Sequence, residues 1–212
     1  MELVFIHGWG FDAGFWDALS PLLPEYRQQR IDLGFYGQSL PEFPAHGDCI
    51  LIGHSLGFVH GMKQKQNWKG WIAINSFPRF VRTPSQAGCV ASAQLREMNI
   101  GLGFAPARAL QAFHKMVGTT VPSGIPDIGR LRAGLDELRD ADISDISHSH
   151  IPLLVLASRN DPLVPPETSE ALGSINAQFD VLWHDSGGHV LPLNDPAWCA
   201  KSVGRFMQTH FG

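Results

Sequence analysis

The sequence predicts an α/β fold with a mostly parallel sheet of about six strands, flanking helices and a helical insertion. Its 212 residues, 44% of them hydrophobic, are enough for one sizeable core. Short apolar runs alternate with segments of helical pattern, which is typical of parallel strands joined by crossover helices. The stretch between the fourth and fifth runs has helical patterns and no strong strand pattern, which predicts the insertion.

Each predicted strand is a short apolar run bounded by turn residues. We predict strands at residues 3–6, 30–33, 49–52, 71–75, 153–157 and 179–183. We predict helices of the core at residues 13–23, 56–66, 166–172 and 196–208. The last helix has the clearest start, because Asp195 can cap it and Pro196 suits its first turn.

The link between the second and third predicted strands, residues 34–48, is expected to be a loop. It contains Pro41 and Pro44 and is too short for a crossover helix with its own connections. One crossover helix is therefore expected to be missing here.

Residues 77–150 are predicted to form a helical cap inserted into a core made of residues 1–76 and 151–212. We predict its helices at residues 86–98, 106–117 and 128–138, with breaks at Gly101, Gly103, Pro122 and Pro126. Parallel sheets have their binding sites at the carboxyl ends of their strands, so a cap there would shape a pocket and exclude water.

Charge and cysteine content exclude several classes of protein. The formal net charge of -4 gives no basic field, so a nucleic-acid partner is not expected, and no apolar segment is long enough to predict a membrane span. The N-terminus has no basic region followed by a long apolar one, so we expect no signal peptide. Three widely spaced cysteines, Cys49, Cys89 and Cys199, predict reduced thiols in the cytoplasm.

A candidate nucleophile lies in Gly53-His54-Ser55-Leu56-Gly57, directly after the third apolar run and directly before a predicted helix. This is the pattern of a nucleophile elbow, in which the serine backbone is strained and the flanking glycines avoid collisions with a neighbouring strand and helix. An ordinary turn with a capping serine also fits the pentapeptide. In the elbow interpretation Ser55 attacks a substrate.

A serine nucleophile needs a base and an acid, and both have candidates in loops that follow predicted strands. Asp161 follows the fifth strand and is the predicted acid, although a turn or capping aspartate also fits its position. His189 follows the sixth strand, after paired glycines, and is the predicted base. His184 lies closer to the end of that strand and is the weaker candidate.

Two backbone N–H groups are expected to form an oxyanion hole. One belongs to Leu56, which follows the nucleophile at the start of its helix. The other belongs to Trp9, which lies between two glycines after the first strand. The Trp9 indole would then bind substrate as a wall of the acyl pocket, although a core aromatic is the simpler interpretation.

Together these segments resemble the α/β-hydrolase family over the whole chain. The segments that carry the resemblance are His7-Gly8-Trp9-Gly10, Asp32-Leu33-Gly34-Phe35-Tyr36-Gly37-Gln38-Ser39, Gly53-His54-Ser55-Leu56-Gly57, Asn160-Asp161 and Gly188-His189. Within that family the chain most resembles the carboxylesterases that remove the methyl ester of pimeloyl-acyl-carrier protein in biotin synthesis. That closer resemblance lies in His7-Gly8-Trp9-Gly10-Phe11 and in the segment from Gly134 to Asp142, followed by Ile151-Pro152.

The resemblance implies a minimal α/β-hydrolase fold, because the chain begins at the strand that normally follows an N-terminal hairpin. It implies a serine carboxylesterase that works through an acyl-enzyme on a small ester or on an ester bound to acyl-carrier protein. Residues 77–140 hold eight Lys or Arg against five Asp or Glu, so an acidic carrier protein is expected to dock on the cap. No cofactor is expected, and His148-Ser149-His150 is not a metal-binding pattern.

Other functions fit parts of the sequence. The same fold hosts generic carboxylesterases, thioesterases and C–C bond hydrolases. Gly8, Gly10 and Gly14 after a strand, with Asp32 at the end of the next one, weakly resemble the motif of a dinucleotide-binding oxidoreductase. A non-catalytic binding protein on this scaffold is a third alternative.

Overall fold

A six-stranded sheet forms the centre of the computed structural model, which describes residues 1–37, 42–44, 47–85 and 88–212. The strands are β1 (Glu2–Ile6), β2 (Arg27–Ile31), β3 (Cys49–His54), β4 (Trp68–Ile74), β5 (Leu153–Ser158) and β6 (Asp180–His184). Their order is β2-β1-β3-β4-β5-β6, and every neighbouring pair is parallel. The predicted fold class, an α/β protein with about six strands, is confirmed.

The central strands were predictable because both of their faces are covered. Every residue of β3 and β5 is buried, and both strands are nearly continuous apolar runs. The edge strand β2 reads RQQRI, and only its last residue is buried. The predicted second strand at residues 30–33 was therefore placed too late, because an edge strand does not need an apolar run.

The α-helices that flank the sheet in the described residues are α1 (Leu56–Met62), α5 (Pro166–Gly173), α6 (Leu191–Asn194) and α7 (Pro196–Phe211). The start of α7 is as predicted, because the Asp195 carboxylate accepts a hydrogen bond from the backbone N–H of Trp198 at 3.0 Å. Helix α1 is shorter than the predicted 56–66 helix. Helix α6 has only four residues, too few for a detectable period.

The predicted helix at residues 13–23 is wrong. Two short 3₁₀ turns occupy the segment, Ala13–Trp16 and Ser20–Leu22. Pro21 cannot donate the backbone hydrogen bond that a continuous helix needs at that position. The aromatic residues still pack on the sheet, with the rings of Trp16 and Phe5 5.2 Å apart.

The connection from β2 to β3 has no helix among the residues that the structure describes there, 32–37, 42–44 and 47–48. This agrees with the predicted loop for those residues. Pro41, and Gln38 and Ser39 of the family-like motif, lie outside the described residues.

Between β4 and β5 the chain forms the helices α2 (Ser92–Phe104), α3 (Pro106–Val117) and α4 (Ile128–Arg139) and a 3₁₀ turn, Ser144–His148. We call residues 77–150 the helical segment. The predicted helices at 106–117 and 128–138 agree with α3 and α4, but the predicted helix at 86–98 does not agree with α2. Residues 86 and 87 lie outside the described part of the chain.

Helix α2 continues through both glycines that were predicted to break it, Gly101 and Gly103. Glycine lowers helix propensity by only about 1 kcal/mol per residue, and packing can override that preference. Leu95 and Leu102 of α2 are buried, and α2 contacts both α3 and α4. The helix ends before Pro106, because helical geometry is disfavoured for the residue before a proline, and Ala105 has φ -147° and ψ 67°.

Within the described residues, no helix combines the length and the apolar character needed to cross a membrane. Cys49, Cys89 and Cys199 are all buried and unpaired.

Candidate active site

Ser55 lies in a sharp turn between β3 and α1, with φ 52° and ψ -122°. A residue other than glycine adopts a positive φ only where surrounding contacts enforce that backbone conformation. Two hydrogen bonds from the end of β4 hold this turn. The Ser55 N–H donates to the Ile74 carbonyl at 3.0 Å, and the Ser76 hydroxyl donates to the Ser55 carbonyl at 2.9 Å.

The two glycines of the elbow lie where a side chain has no room. A Cβ on Gly53 would lie 2.2 Å from the Phe58 Cα, and a Cβ on Gly57 would lie 2.1 Å from the Ile6 carbonyl oxygen. Because these obstacles are backbone atoms, they cannot move aside. Helix α1 therefore packs directly on the end of β1, with Ser55 at its first turn.

Asp161 follows β5 and His189 follows β6, and the structure brings the two side chains into contact. The Asp161 Oδ2 atom lies 2.9 Å from the His189 Nδ1 atom, and both side chains are only 1% exposed. An ionised carboxylate can only accept, so Nδ1 carries the proton and donates it. Nε2 is then the basic nitrogen of the imidazole.

Four donors surround the Asp161 carboxylate. Oδ1 accepts the backbone N–H groups of Leu163 at 2.7 Å and of Val164 at 2.9 Å. Oδ2 accepts the His189 ring and, at 2.8 Å, the side-chain amide of Asn75. Donors on both oxygens are the environment of an ionised acid.

Sequence reasoning missed Asn75. It follows β4 with φ 46° and is buried, and its amide also donates to the Gly188 carbonyl at 2.5 Å. The only signal in the sequence is a single asparagine at the carboxyl end of an apolar run.

His54 binds the backbone of the loop that carries His189. Its Nε2–H donates to the His189 carbonyl at 2.9 Å, and its ring stacks on Phe15 at 4.4 Å. Burial, and the neighbouring His189, hold the pKa of His54 well below its usual value, so the ring is neutral. The weaker base candidate, His184, lies instead beside Asp195, with its Nε2 atom 3.2 Å from an Asp195 carboxylate oxygen.

Trp9 packs beneath the helical segment. Its indole N–H donates to the Leu131 carbonyl of α4 at 2.8 Å, and its ring meets Phe113 of α3 edge-on at 4.8 Å. A Cβ on Gly134 of α4 would lie 2.8 Å from the Trp9 ring. Leu56, the second predicted oxyanion residue, opens α1, so its N–H has no acceptor within the helix.

His114 of α3, which sequence reasoning also missed, joins the helical segment to the same loop. Its Nε2–H donates to the Gly10 carbonyl at 2.9 Å, and its Nδ1 accepts from the Thr119 hydroxyl at 2.8 Å. Burial lowers the pKa of His114, which keeps the ring neutral. Residues 8–11 are therefore anchored to α3 through His114 and to α4 through Trp9.

Asp32 is engaged by backbone groups rather than presented to a ligand. Its carboxylate accepts the N–H groups of Gly34 at 2.7 Å and Ala13 at 3.1 Å. Burial alone would raise the pKa of Asp32, but hydrogen bonds from His7, Gly34 and Ala13 outweigh it and lower the pKa. Gly14 lies in a 3₁₀ turn, so the helix N-terminus that a dinucleotide site needs is missing.

Two of the cavities formed by the described residues lie against helix α2 of the helical segment. A cavity of about 480 Å³ between α2 and α3 is mainly apolar, and it reaches Phe113, which contacts Trp9, and Leu163, which follows Asp161. A second, of about 350 Å³, lies between α2 and α4, and Arg96, Arg132 and Arg139 line it. No group of three or more His, Cys, Asp or Glu side chains suited to a metal ion occurs in the described part of the chain.

No protein-family model matches the chain. Curated relatives do. The chain is 27% identical to the pimeloyl-[acyl-carrier protein] methyl ester esterase of Methylococcus capsulatus, an alignment that covers 97% of the chain and 94% of the relative. It is 25% identical to the protein of the same name from Serratia marcescens, over 90% of the chain and 84% of the relative.

Solved structures of an esterase and of a bromoperoxidase share the fold. An esterase from Exiguobacterium antarcticum has a TM-score of 0.83 and 16% identity, covering 98% of this chain and 92% of its own. A bromoperoxidase from Bacillus anthracis has the same TM-score and identity, covering 98% of this chain and 91% of its own. The chain therefore has the α/β-hydrolase fold. Its sequence is similar to esterases named for pimeloyl-acyl-carrier protein, which supports a hydrolase that acts on esters.

We expect Gly57→Ala to destabilise the protein by about 3 kcal/mol or more, because the new Cβ would meet two backbone carbonyl groups, Ile6 at 2.1 Å and His7 at 2.5 Å. Gly204→Ala in α7 is the matched control, since a Cβ there meets no atom within 4 Å. The control should be as stable as the wild type or up to about 1 kcal/mol more stable. Urea unfolding measures both, and a wild-type midpoint for Gly57→Ala would contradict this account.

We expect the free energy of unfolding to fall as the pH drops below about 6.5. His54 and His114 have lowered pKa values in the folded protein, so the unfolded chain binds protons that the folded protein does not. His114→Gln keeps a donor for the Gly10 carbonyl and cannot titrate, so its stability should fall less steeply with pH. Gln208→Asn, an exposed change that removes no titratable group, is the control and should keep the wild-type slope. Urea unfolding at pH 7.5 and 5.5 checks this, and equal slopes for both variants would refute it.

Proposed function

We propose that the protein is a serine carboxylesterase in which Ser55 is the nucleophile, His189 the general base and Asp161 the acid. The observation that carries the proposal is the buried hydrogen bond between Asp161 and His189, formed by loops at the sheet edge where the strained Ser55 lies. A neutral imidazole with its proton on Nδ1 is the form that a general base requires.

In the proposed reaction, His189 Nε2 takes the proton of the Ser55 hydroxyl while Oγ attacks the ester carbonyl. The N–H groups of Trp9 and Leu56 donate to the oxyanion of the tetrahedral intermediate. His189 then gives its proton to the departing alcohol, which leaves an acyl-enzyme. Water, deprotonated by His189, then attacks the acyl carbonyl. His189 returns that proton to the Ser55 Oγ atom as the carboxylic acid product leaves. The chemistry needs no metal or cofactor.

Asp161 contributes without giving up its charge. Its carboxylate fixes the histidine tautomer and stabilises the imidazolium that forms in each step. Four hydrogen-bond donors hold it in place, two of them backbone N–H groups that side-chain motion cannot displace.

We further propose that the substrate is the methyl ester of pimeloyl-acyl-carrier protein in biotin synthesis. The relatives bear that name, and the apolar cavity between α2 and α3 offers an acyl chain a place beside Phe113 and Leu163. Two residues that line the cavity connect it to the site. Phe113 contacts Trp9 of the proposed oxyanion hole, and the Leu163 N–H donates to the carboxylate of the proposed acid, Asp161.

The helical segment would serve as a cap on which the acidic carrier protein docks. Arg96, Arg132 and Arg139 surround one cavity between α2 and α4. Arg139 is already paired with Asp136 and Asp140, and Arg132 donates to the Asn99 side chain. Within this segment, residues 77–140 hold eight Lys or Arg against five Asp or Glu, and this local excess, in a chain of net charge -4, would steer an acidic partner toward them.

A fluorophosphonate probe tests the nucleophile. We expect it to label the wild type and Ser123→Ala, a control at an exposed serine, but not Ser55→Ala. Labelling of Ser55→Ala at the wild-type rate would refute the assignment, and a wild type that resists labelling would favour a non-catalytic binding protein.

Asp161→Asn should keep the fold and lower kcat by about 10³- to 10⁴-fold, because an amide stabilises the wrong tautomer and cannot offset the imidazolium charge. Hydrolysis of p-nitrophenyl butyrate, with circular dichroism as the check on folding, measures the loss. Full activity would show that another residue is the acid.

Growth without biotin tests the substrate. In a bacterium that lacks its pimeloyl methyl esterase, we expect the wild-type gene to restore growth and the Ser55→Ala gene to fail. Failure of the wild type, although the same protein hydrolyses p-nitrophenyl butyrate, would reduce the assignment to a generic carboxylesterase. Parallel assays on a thioester and on a C–C cleavage substrate separate the remaining alternatives.

A further inference from the structure

We propose that Asn75 is a positioning residue for the ester hydrolysis, because its side-chain amide joins the Asp161 carboxylate to the loop that carries His189. The inference rests on the proposed serine esterase function. It concerns the geometry of the acid and the base and is independent of which ester is the substrate.

The amide nitrogen of Asn75 lies between two close acceptors, with the Ser158 hydroxyl oxygen farther away at 3.4 Å. It is 2.8 Å from Asp161 Oδ2, the oxygen that also accepts the His189 ring, and 2.5 Å from the Gly188 carbonyl oxygen. Neither acceptor can donate, so the amide is oriented with its nitrogen toward both of them. One planar group therefore fixes the acid and the residue directly before the base.

The backbone of Asn75 is built to present that amide. Its φ of 46° is unusual for a residue with a side chain, and asparagine tolerates it better than most. Its N–H donates to the Leu156 carbonyl at 2.8 Å, and the carbonyl of the preceding residue, Ile74, accepts from Ser55. The end of β4 thus contacts the nucleophile, the strand of the acid and, through the amide, the loop of the base.

The other end of the amide gives a second, independent observation. The Asn75 Oδ1 atom is buried and has no hydrogen-bond partner among the described residues. An unpaired buried acceptor is unfavourable for stability, and such groups in folded proteins call for an explanation. The explanation here is that the amide is held in this orientation by its nitrogen, which binds Asp161 and Gly188.

The hydrogen bond has a chemical consequence for the reaction. Oδ2 receives two donors, so the Asn75 amide offsets part of the carboxylate charge that faces the imidazole. Without the amide, the carboxylate would stabilise the imidazolium more strongly, and the neutral base would form only at higher pH. Asn75 would therefore influence the proton transfer as well as the position of the loop.

The chain offers a control in Asn160, which directly precedes the acid but whose side chain anchors the same loop without a hydrogen bond to the Asp161 carboxylate. The Gly188 N–H donates to the Asn160 side-chain oxygen at 2.7 Å, and Asn160 is exposed. A purely structural role in holding Gly188 would make substitutions of Asn75 and Asn160 equivalent. A role that acts through Asp161 would make them differ.

Three variants test the proposal with p-nitrophenyl butyrate. Asn75→Gly removes the amide at a backbone conformation that glycine accepts. We expect kcat to fall about 10- to 100-fold, the factor that corresponds to a hydrogen bond to a charged group, with KM nearly unchanged. The acid limb of the kcat/KM profile should move to higher pH. Asn160→Ala should lose less activity and leave the acid limb in place.

Asn75→Asp keeps the shape of the side chain and replaces the donor by a second carboxylate. The added negative charge should move the acid limb up by about one pH unit or more. Of the neighbouring groups, His54 stays neutral because burial lowers its pKa, and burial keeps the Cys89 thiol protonated by raising its pKa. A shift of the acid limb therefore comes from neither of these two groups.

Wild-type kcat and a wild-type pH profile in Asn75→Gly would overturn the proposal. So would equal losses in Asn75→Gly and Asn160→Ala with unchanged profiles, since Asn75 would then only anchor the loop. If circular dichroism shows that Asn75→Gly does not fold, the test passes to Asn75→Asp. A wild-type acid limb in folded Asn75→Asp would then overturn the proposal. Turnover by Ser55→Ala would refute the proposed function itself, and an inactive Ser55→Ala beside a fully active Asn75→Gly would refute only the role of Asn75.

Discussion

The close approach of α1 to the end of β1 is the constraint on which the rest of the site depends. Gly57 allows the helix to rest on the Ile6 and His7 carbonyl groups, and Gly53 allows the chain to turn sharply beneath Phe58. The turn between them forces Ser55 into positive φ. Because β1 ends at this contact, the loop that follows it, residues 8–11, must pass beside Ser55. One packing contact thus brings the candidate nucleophile and the candidate oxyanion loop together.

The helical segment also holds the loop after β1 in position beside Ser55. His114 holds the Gly10 carbonyl, and the Leu131 carbonyl holds the Trp9 indole. A displacement of α3 or α4 would therefore disturb the backbone beside Ser55. In the same way, Asn75 connects the ends of three strands at the opposite side of the elbow. The functional elements are held by a few buried polar contacts at the edge of an apolar sheet.

Sequence reasoning predicted those parts of the molecule that have a pattern. The buried strands β3 and β5 are apolar runs, and the elbow is a strand followed by spaced glycines. It placed β2 too late because an edge strand can be polar, and it overlooked Pro21 in the supposed helix at 13–23. Asn75 and His114 could not be predicted, because each holds a backbone carbonyl more than 100 positions away in the chain and belongs to no local motif.

The all-parallel sheet also determines the order in which the protein can fold. Strand β4 ends at Ile74 and its partner β5 begins at Leu153, so the whole helical segment lies between two strands that must pair. Contacts across such long stretches of chain form slowly, because loop closure costs entropy before pairing gives any return. During synthesis, the edge of β4 that pairs with β5 stays unpaired while residues 77–150 emerge. In that interval this edge can pair with strands of other chains. The nascent chain is therefore exposed to aggregation until β5, which precedes the loop of the proposed catalytic acid, is made.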